Sequence, residues 1–327
     1  MKNSKPIKST SSAANNMHKD VPGNPSTISS SKVNLRAEAT EDSLRVLTLE
    51  QWDFWKKYGY VVIKKAVPRE QAEETAAFLW EFEDKDPKDK STWYSAPLAE
   101  MKMGELVGTG MVEVYNNQLL WNNRQTQKVY DAFVDIWGTE KLWVTIDRAN
   151  LNFPMREGYK YKGFIHWDYD PETKPQNVQG VLALADQTDK DMGGFQCIPW
   201  LFGNYDTWKL TQPEDRNHFK PDITGLEDEI VKVAMEAGDL LIFNSSEPHG
   251  IRPNHSEDKV RIAQYISMMP AQEDNEALKE WRVNSWENRI APEGFAFAGD
   301  PRNLEQTKYS KAELSTLGGK LLGLKKW

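Results

Sequence analysis

The sequence predicts an α+β fold with a mainly β core, and three observations carry that expectation. Helical periodicity ends at Gly138 and gives way to short runs of strand-forming residues. Those runs are separated by Gly, Pro, Asp and Asn. A content of 39% hydrophobic and 11% aromatic residues in 327 is enough for one sizeable core. Helices first and strands afterwards argue for a single domain built on an antiparallel sandwich or barrel.

Residues 1–44 are rich in Ser, Asn, Lys and Pro and offer little to bury, so a disordered tail is expected there, followed by an ordered domain over 45–327. The tail's Lys and Ser also resemble an organelle transit peptide, although arginine is scarce. Thr48 and Gln51 have capping-box spacing, which starts a helix over about 49–58 that Gly59 stops. YVVIKKAV follows as a β-branched strand, and Pro68 then opens a second helix with Ala72, Thr75, Ala76 and Leu79 on one face. A third helix covers about 126–137, with Val129, Phe133 and Ile136 facing the core and Gly138 as its stop. Beyond it, LWVTIDRANLNF, GFIHWDY, NVQGVLALAD, GGFQCIP, EIVKVAME, GDLLIFNS and KVRIAQYISMM read as strands. The polar stretch 203–228 reads as an insertion between strands. The segment 272–327, with Trp281, Trp286, Phe295 and Phe297, is too aromatic for disorder and is expected to pack back on the domain.

Composition removes several function classes. A formal charge of −8 argues against a nucleic-acid partner held by phosphate contacts. The single cysteine, Cys197, rules out an intrachain disulfide and suits a reducing, cytoplasmic setting. No apolar run approaches the roughly 20 residues needed to cross a bilayer, so no membrane partner is expected. The sequence leaves the oligomeric state open.

Chemistry concentrates in FIHWDYD, residues 164–170. In an extended strand, residues i and i+2 point the same way about 7 Å apart, so His166 and Asp168 can converge on one ion while Trp167 faces away. Asp170 shares that face but precedes Pro171, which favours an extended exit into a loop and places Asp170 at a pocket rim. A third ligand is required. Of the five histidines, His18 lies in the tail, His218 in the insertion and His255 in a polar turn, which leaves His249. It is followed by Gly250, which permits close backbone approach. Two histidines and one carboxylate on one face of an octahedral ion leave three positions open, the arrangement that suits non-haem Fe(II) oxygenases. A cosubstrate carboxylate then needs a cation. Arg261, 12 positions after His249, meets this need: strand alternation sets it on a face with Ala263 and Tyr265, opposite Val260 and Ile262.

His166-x-Asp168, His249, the segment HGIRPNHSEDKVR with Asn254, Ser256 and Arg261, and the upstream GYVVIKKAV together resemble the phytanoyl-CoA dioxygenase family of Fe(II)/2-oxoglutarate oxygenases. The likeness extends over about 46–270 and includes VQGVLALADQTDKDMGGFQCIP. It implies a double-stranded β-helix (jelly roll) with flanking N-terminal helices, and Fe(II), 2-oxoglutarate and O2 as cofactor and cosubstrates. Within DRANLNFP it implies Asn150 as a partner of 2-oxoglutarate and Arg148 and Asn152 as cavity-lining residues; Trp167, Asp170 and Gln179 are expected in the substrate pocket as well. Three departures stand out. Trp167 replaces a glutamine common in the family, Ile251 replaces a frequent hydroxyl, and WLFGN follows CIP. The implied reaction is hydroxylation with release of succinate and CO2. No run of basic residues suggests a coenzyme A cradle, so a small organic metabolite is the expected substrate, with an acyl-CoA or lipid hydroxylase, or a non-enzymatic jelly-roll protein, as alternatives.

Overall fold

A computed structural model describes residues 33–94, 110–156, 163–292 and 297–327. The tail up to residue 32 and Phe295 lie outside the described residues. Packing begins before the expected residue 45: the Leu35 amide donates to the Gln176 side chain at 3.0 Å and the Arg36 amide to the Ile136 carbonyl at 3.1 Å.

The first helix, α1 (Leu49–Tyr58), forms where its capping box demands: the Thr48 hydroxyl and the Gln51 side chain each accept from the other's backbone amide, and Gly59 ends it at φ 73°. In α2 (Arg69–Phe82) the face of Ala72, Thr75, Ala76 and Leu79 is buried. A short helix α3 (Gln118–Arg124), capped by Asn117, has no counterpart among the sequence expectations. It leads into α4 (Gln127–Trp137), which ends at Gly138 with φ 70°.

The strands form a six-stranded antiparallel sheet in the order β1 (Tyr60–Ile63), β8 (Leu240–Asn244), β5 (Val178–Ala183), β10 (Arg261–Tyr265), β4 (Ala149–Asn152) and β2 (Met111–Val112). A three-stranded sheet runs β7 (Val231–Lys232), β6 (Gly194–Cys197) and β9 (His249–Arg252). Two expected long runs split: LWVTIDRANLNF gives β3 (Leu142–Val144) and β4, and KVRIAQYISMM gives β10 and β11 (Met268–Pro270), with β3 and β11 pairing separately. One expected strand is absent. In GFIHWDY only His166 makes a β-bridge, and the chain bends at Asp168 and Tyr169.

Alternation along the large sheet builds two cores. Leu182, Leu240, Ile242 and Ile262 face the helices with Val129, Phe133, Ile136 and Leu79. Val181, Ala183, Leu241, Phe243 and Ala263 face inward onto Phe195, Cys197, Val233 and Met235 of the smaller-sheet side. Helix α5 (Pro199–Trp208) opens the connection from β6 to β7. The C-terminal segment adds α6 (Glu276–Asn288) and α7 (Thr316–Leu322), joined by the buried Arg282, which donates to the Leu322 carbonyl at 3.0 Å and to the Val144 carbonyl of β3. No helix among the described residues is long and apolar enough to cross a membrane.

The contact between α4 and the sheet is close at Gly180. A methyl group there would lie 2.2 Å from the Ile266 carbonyl oxygen and 3.0 Å from the Phe133 ring. Gly180→Ala is therefore expected to destabilise the fold by about 2 kcal/mol, read as a lowered urea midpoint with an unchanged slope.

Candidate metal centre

The loop 164–170 meets β9 through the bridge between His166 and His249. The His166 amide donates to the His249 carbonyl at 2.8 Å, and the His249 amide donates back to the His166 carbonyl at 3.0 Å. Such a reciprocal pair is the closely spaced rung of an antiparallel ladder, and it sets the two imidazoles side by side with ring centres 4.7 Å apart. Gly250 makes the approach possible, since a Cβ there would lie 1.8 Å from the Phe164 carbonyl oxygen. Asp168, in the bend that follows, turns its carboxylate into the same space: Oδ1 is 3.1 Å from Nε2 of His166 and Oδ2 is 3.4 Å from Nε2 of His249. One donor atom from each of the three lies within 4.8 Å of the others. Donors about 2.1 Å from an ion and at right angles about it stand about 3 Å apart, so the set fits one face of an octahedron.

The protonation pattern suits a cation. Nδ1 of His249 is 3.0 Å from the Glu247 carbonyl oxygen, to which it can only donate, so neutral His249 presents a lone pair on Nε2. Its ring lies against Phe195 and Phe243, at centroid distances of 5.8 and 4.4 Å. Burial alone would raise the Asp168 carboxyl, but His166 and then His249 outweigh it and hold its pKa well below the ordinary carboxylate value. Burial likewise opposes charge on His166, and the Asp168 carboxylate overcomes it, so that imidazole's pKa lies above its ordinary value. The Gln179 side-chain amide, from β5, donates to Oδ2 of Asp168.

Arg261 starts β10 and shares the inward face with Ala263 and Tyr265, as alternation requires. It is 1% exposed. One Nη donates to Oδ1 of Asn150 at 2.7 Å and lies 3.4 Å from the Tyr265 hydroxyl, while its Nε has no hydrogen-bond partner. Among the described residues no carboxylate stands within ion-pair distance of it. A buried guanidinium without an acid is costly, and an anionic ligand would remove that cost. Other buried arginines are different: Arg252 spends its donors on backbone carbonyls, and Arg148 is paired with Glu113 at 2.7 Å and lies over the Phe297 ring at 5.0 Å. Glu113 also accepts from the Tyr115 hydroxyl and the Gly299 amide, so Arg148 belongs to a closed polar cluster.

The remaining expected pocket residues are dispersed. Trp167 is 1% exposed and packs with Tyr205 and Trp208, its indole N–H donating to the Ser246 carbonyl at 3.0 Å. That lodges it in packing, opposite the ligand cluster. Asp170 caps the turn Pro171–Thr173 and stands 3.0 Å from Nδ1 of His218, a residue with no role in the sequence expectations. The Asn152 carbonyl accepts from the Asn254 side chain, and Asn254 in turn accepts from Ser256, so these asparagines fix the turn between β9 and β10. Two contributions were not expected. The Glu247 carbonyl orients His249, and Arg252 donates to the Met192 and Phe195 carbonyls, tying β9 to the chain around β6. Only the position of Glu247, two before His249, could have signalled the first; the second spans about 60 residues and leaves no local trace.

The family model for phytanoyl-CoA dioxygenase (PhyH) matches residues 55–263. A relative, Ava biosynthesis cluster protein O of Aspergillus versicolor, is 27% identical over 267 residues, covering 73% of this chain and 83% of that protein. Among solved structures, hypothetical protein JW0805 from Escherichia coli superposes with a TM-score of 0.60 at 18% identity, over 85% of this chain and 81% of that one. GlcNAc Inducible Gene 2, GIG2 (DUF1479), from Candida albicans gives 0.60 at 13% identity, over 88% and 78%. These two likenesses show a shared fold. Because the family match spans well over half of the sequence, the chain belongs to the phytanoyl-CoA dioxygenase family and is a non-haem iron, 2-oxoglutarate-dependent dioxygenase.

Proposed function

We propose that this dioxygenase hydroxylates a small organic metabolite, with His166, Asp168 and His249 as iron ligands and Arg261 as the partner of the far carboxylate of 2-oxoglutarate. The observation that carries the assignment is a complementary pair of demands around one interior: three donor atoms converge where one cation would be held, and the buried Arg261 guanidinium has no carboxylate within ion-pair distance among the described residues. We also assign the core to a double-stranded β-helix. Its support is the strand order β8-β5-β10-β4 in the large sheet opposite β7-β6-β9 with the His166 bridge beside β9.

Bound together, iron and 2-oxoglutarate supply the activation of O2, with succinate and CO2 released and a substrate C–H bond oxidised. The chain's own residues set the conditions. The Glu247 carbonyl fixes the His249 tautomer, and Gln179 orients the Asp168 carboxylate. Asn150 holds one Nη of Arg261, which leaves the rest of the fork for a carboxylate. Phe195 and Phe243 shield the His249 ring from water. Because Asp168 supplies a carboxylate, no position is vacated for a halide, which favours hydroxylation over halogenation. The substrate class is supported by the relative's place in a biosynthesis cluster and by the lack of a basic run in the sequence.

Anaerobic titration with Fe(II) and 2-oxoglutarate should give a metal-to-ligand charge-transfer band, and admission of air with a substrate from a metabolite panel should give succinate. Absence of both would sink the assignment; succinate released only with acyl-CoAs would move the substrate class. Asp168→Ala is expected to abolish the band, whereas Asp170→Ala keeps metal affinity within about tenfold of wild type. Arg261→Ala should leave Fe(II) affinity intact and weaken 2-oxoglutarate binding about a hundredfold or more, measured as the cosubstrate dependence of the same band.

A further inference from the structure

The first-ligand loop is not part of a sheet beyond His166, so its shape must be fixed from outside. Segment 199–230 supplies that support at successive positions. Ile165 and Trp167, the residues on either side of His166, are buried in a small separate core with Ile198, Leu201 and Trp208. The Trp167 ring meets Tyr205 edge-on at 5.6 Å and Trp208 at 5.9 Å. The Trp167 amide, between the two ligands in the chain, donates to the Phe219 carbonyl at 2.9 Å. Further along, Asp170 stands 3.0 Å from His218, and Glu172 accepts from Arg216 at 2.9 Å and from Lys209 at 3.1 Å. Arg216, only 11% exposed at its side chain, also donates to the Tyr205 hydroxyl at 2.7 Å, so one guanidinium joins the loop to α5.

We propose that segment 199–230 is a clamp on the first-ligand loop, and that Trp167 and Arg216 are positioning residues for the metal centre. This rests on the assignment of His166 and Asp168 as ligands. A facial set needs both donors at one spacing, and a loop with no ladder bonds beyond His166 would sample others. The indole and the Trp167 amide hold the backbone between the two ligands, and the Arg216–Glu172 pair holds the exit. Ordering that an ion would otherwise impose is thereby done in advance, which raises affinity without any added ligand.

The test is Co(II) titration followed by visible absorption, together with thermal unfolding of the metal-free protein, for wild type, Arg216→Met, Trp167→Phe and a remote control, Val129→Ala in α4. Arg216→Met and Trp167→Phe should each lower Co(II) affinity about tenfold. Val129→Ala, with an equal or greater loss of melting temperature, should stay within about twofold of wild type. Arg216→Lys keeps the charge but not the planar guanidinium whose one Nη reaches both Glu172 and the Tyr205 hydroxyl, and should fall in between. Affinities of Arg216→Met and Trp167→Phe that match the control, or simply follow melting temperature, would overturn the clamp. Failure of the wild type to bind Co(II) would instead overturn the ligand assignment, and the clamp with it.

Discussion

Two backbone hydrogen bonds, exchanged between His166 and His249, hold together residues 83 positions apart and fix where everything else in the site must stand. His249 is itself placed by the pairing of β9 with β6, so the pair transfers the order of a sheet to a loop that has none of its own. Side-chain chemistry then follows from backbone geometry: opposite places in one rung bring two imidazoles together, and the bend after Trp167 turns the Asp168 carboxylate between them. The pairing depends on an absence of atoms at Gly250, since any Cβ would occupy the place of the Phe164 carbonyl.

Electrostatics separates the working charges from the structural ones. Arg148 and Arg261 are both buried, and both flank the same strand β4. Arg148 has its acid, Glu113, and Glu113 has its hydrogen bonds, so the cluster is complete without a ligand. Among the described residues Arg261 has the Asn150 amide and the Tyr265 hydroxyl as hydrogen-bond neighbours and no carboxylate, and its Nε is unmatched. On the other wall, Asp168 is kept anionic among two imidazoles and an amide donor. Net attraction is left over for a cation at one place and for an anion at another, which is what a metal with a dicarboxylate cosubstrate requires.

Local rules made much of this legible in the sequence. The capping box at Thr48, the stops at Gly59 and Gly138 and the buried face of α2 follow from contacts within a few residues, and each appears in the structure. Strand parity placed Arg261 inward with Ala263 and Tyr265, because a period of two is set by the backbone alone. Gly250 was legible as a close approach, though not what approaches it. Other features were hidden for a common reason. FIHWDYD has strand propensity, yet it finds only one rung of partner, and tertiary contacts from 199–230 bend it instead. The contact of Gln179 with Asp168 and the pairing of Asp170 with His218 join separate elements, and nothing in their own neighbourhoods announces them. Polar composition suggested a free tail up to residue 44, but apolar side chains within it, Leu35, Ala39 and Leu44, pack against the main core and the Leu35 and Arg36 amides are bonded to distant residues.

The claim that the His166–His249 backbone pair builds the metal centre is tested most directly at a position that is neither a ligand nor charged. Gly250→Ala should push the Phe164 carbonyl off β9 and open the pair while leaving the pairing of β6 with β9. Anaerobic Fe(II) titration in the presence of 2-oxoglutarate is the measurement. The account expects a loss of Fe(II) affinity of about a hundredfold or more, with circular dichroism like that of the wild type. Wild-type affinity in Gly250→Ala would contradict it.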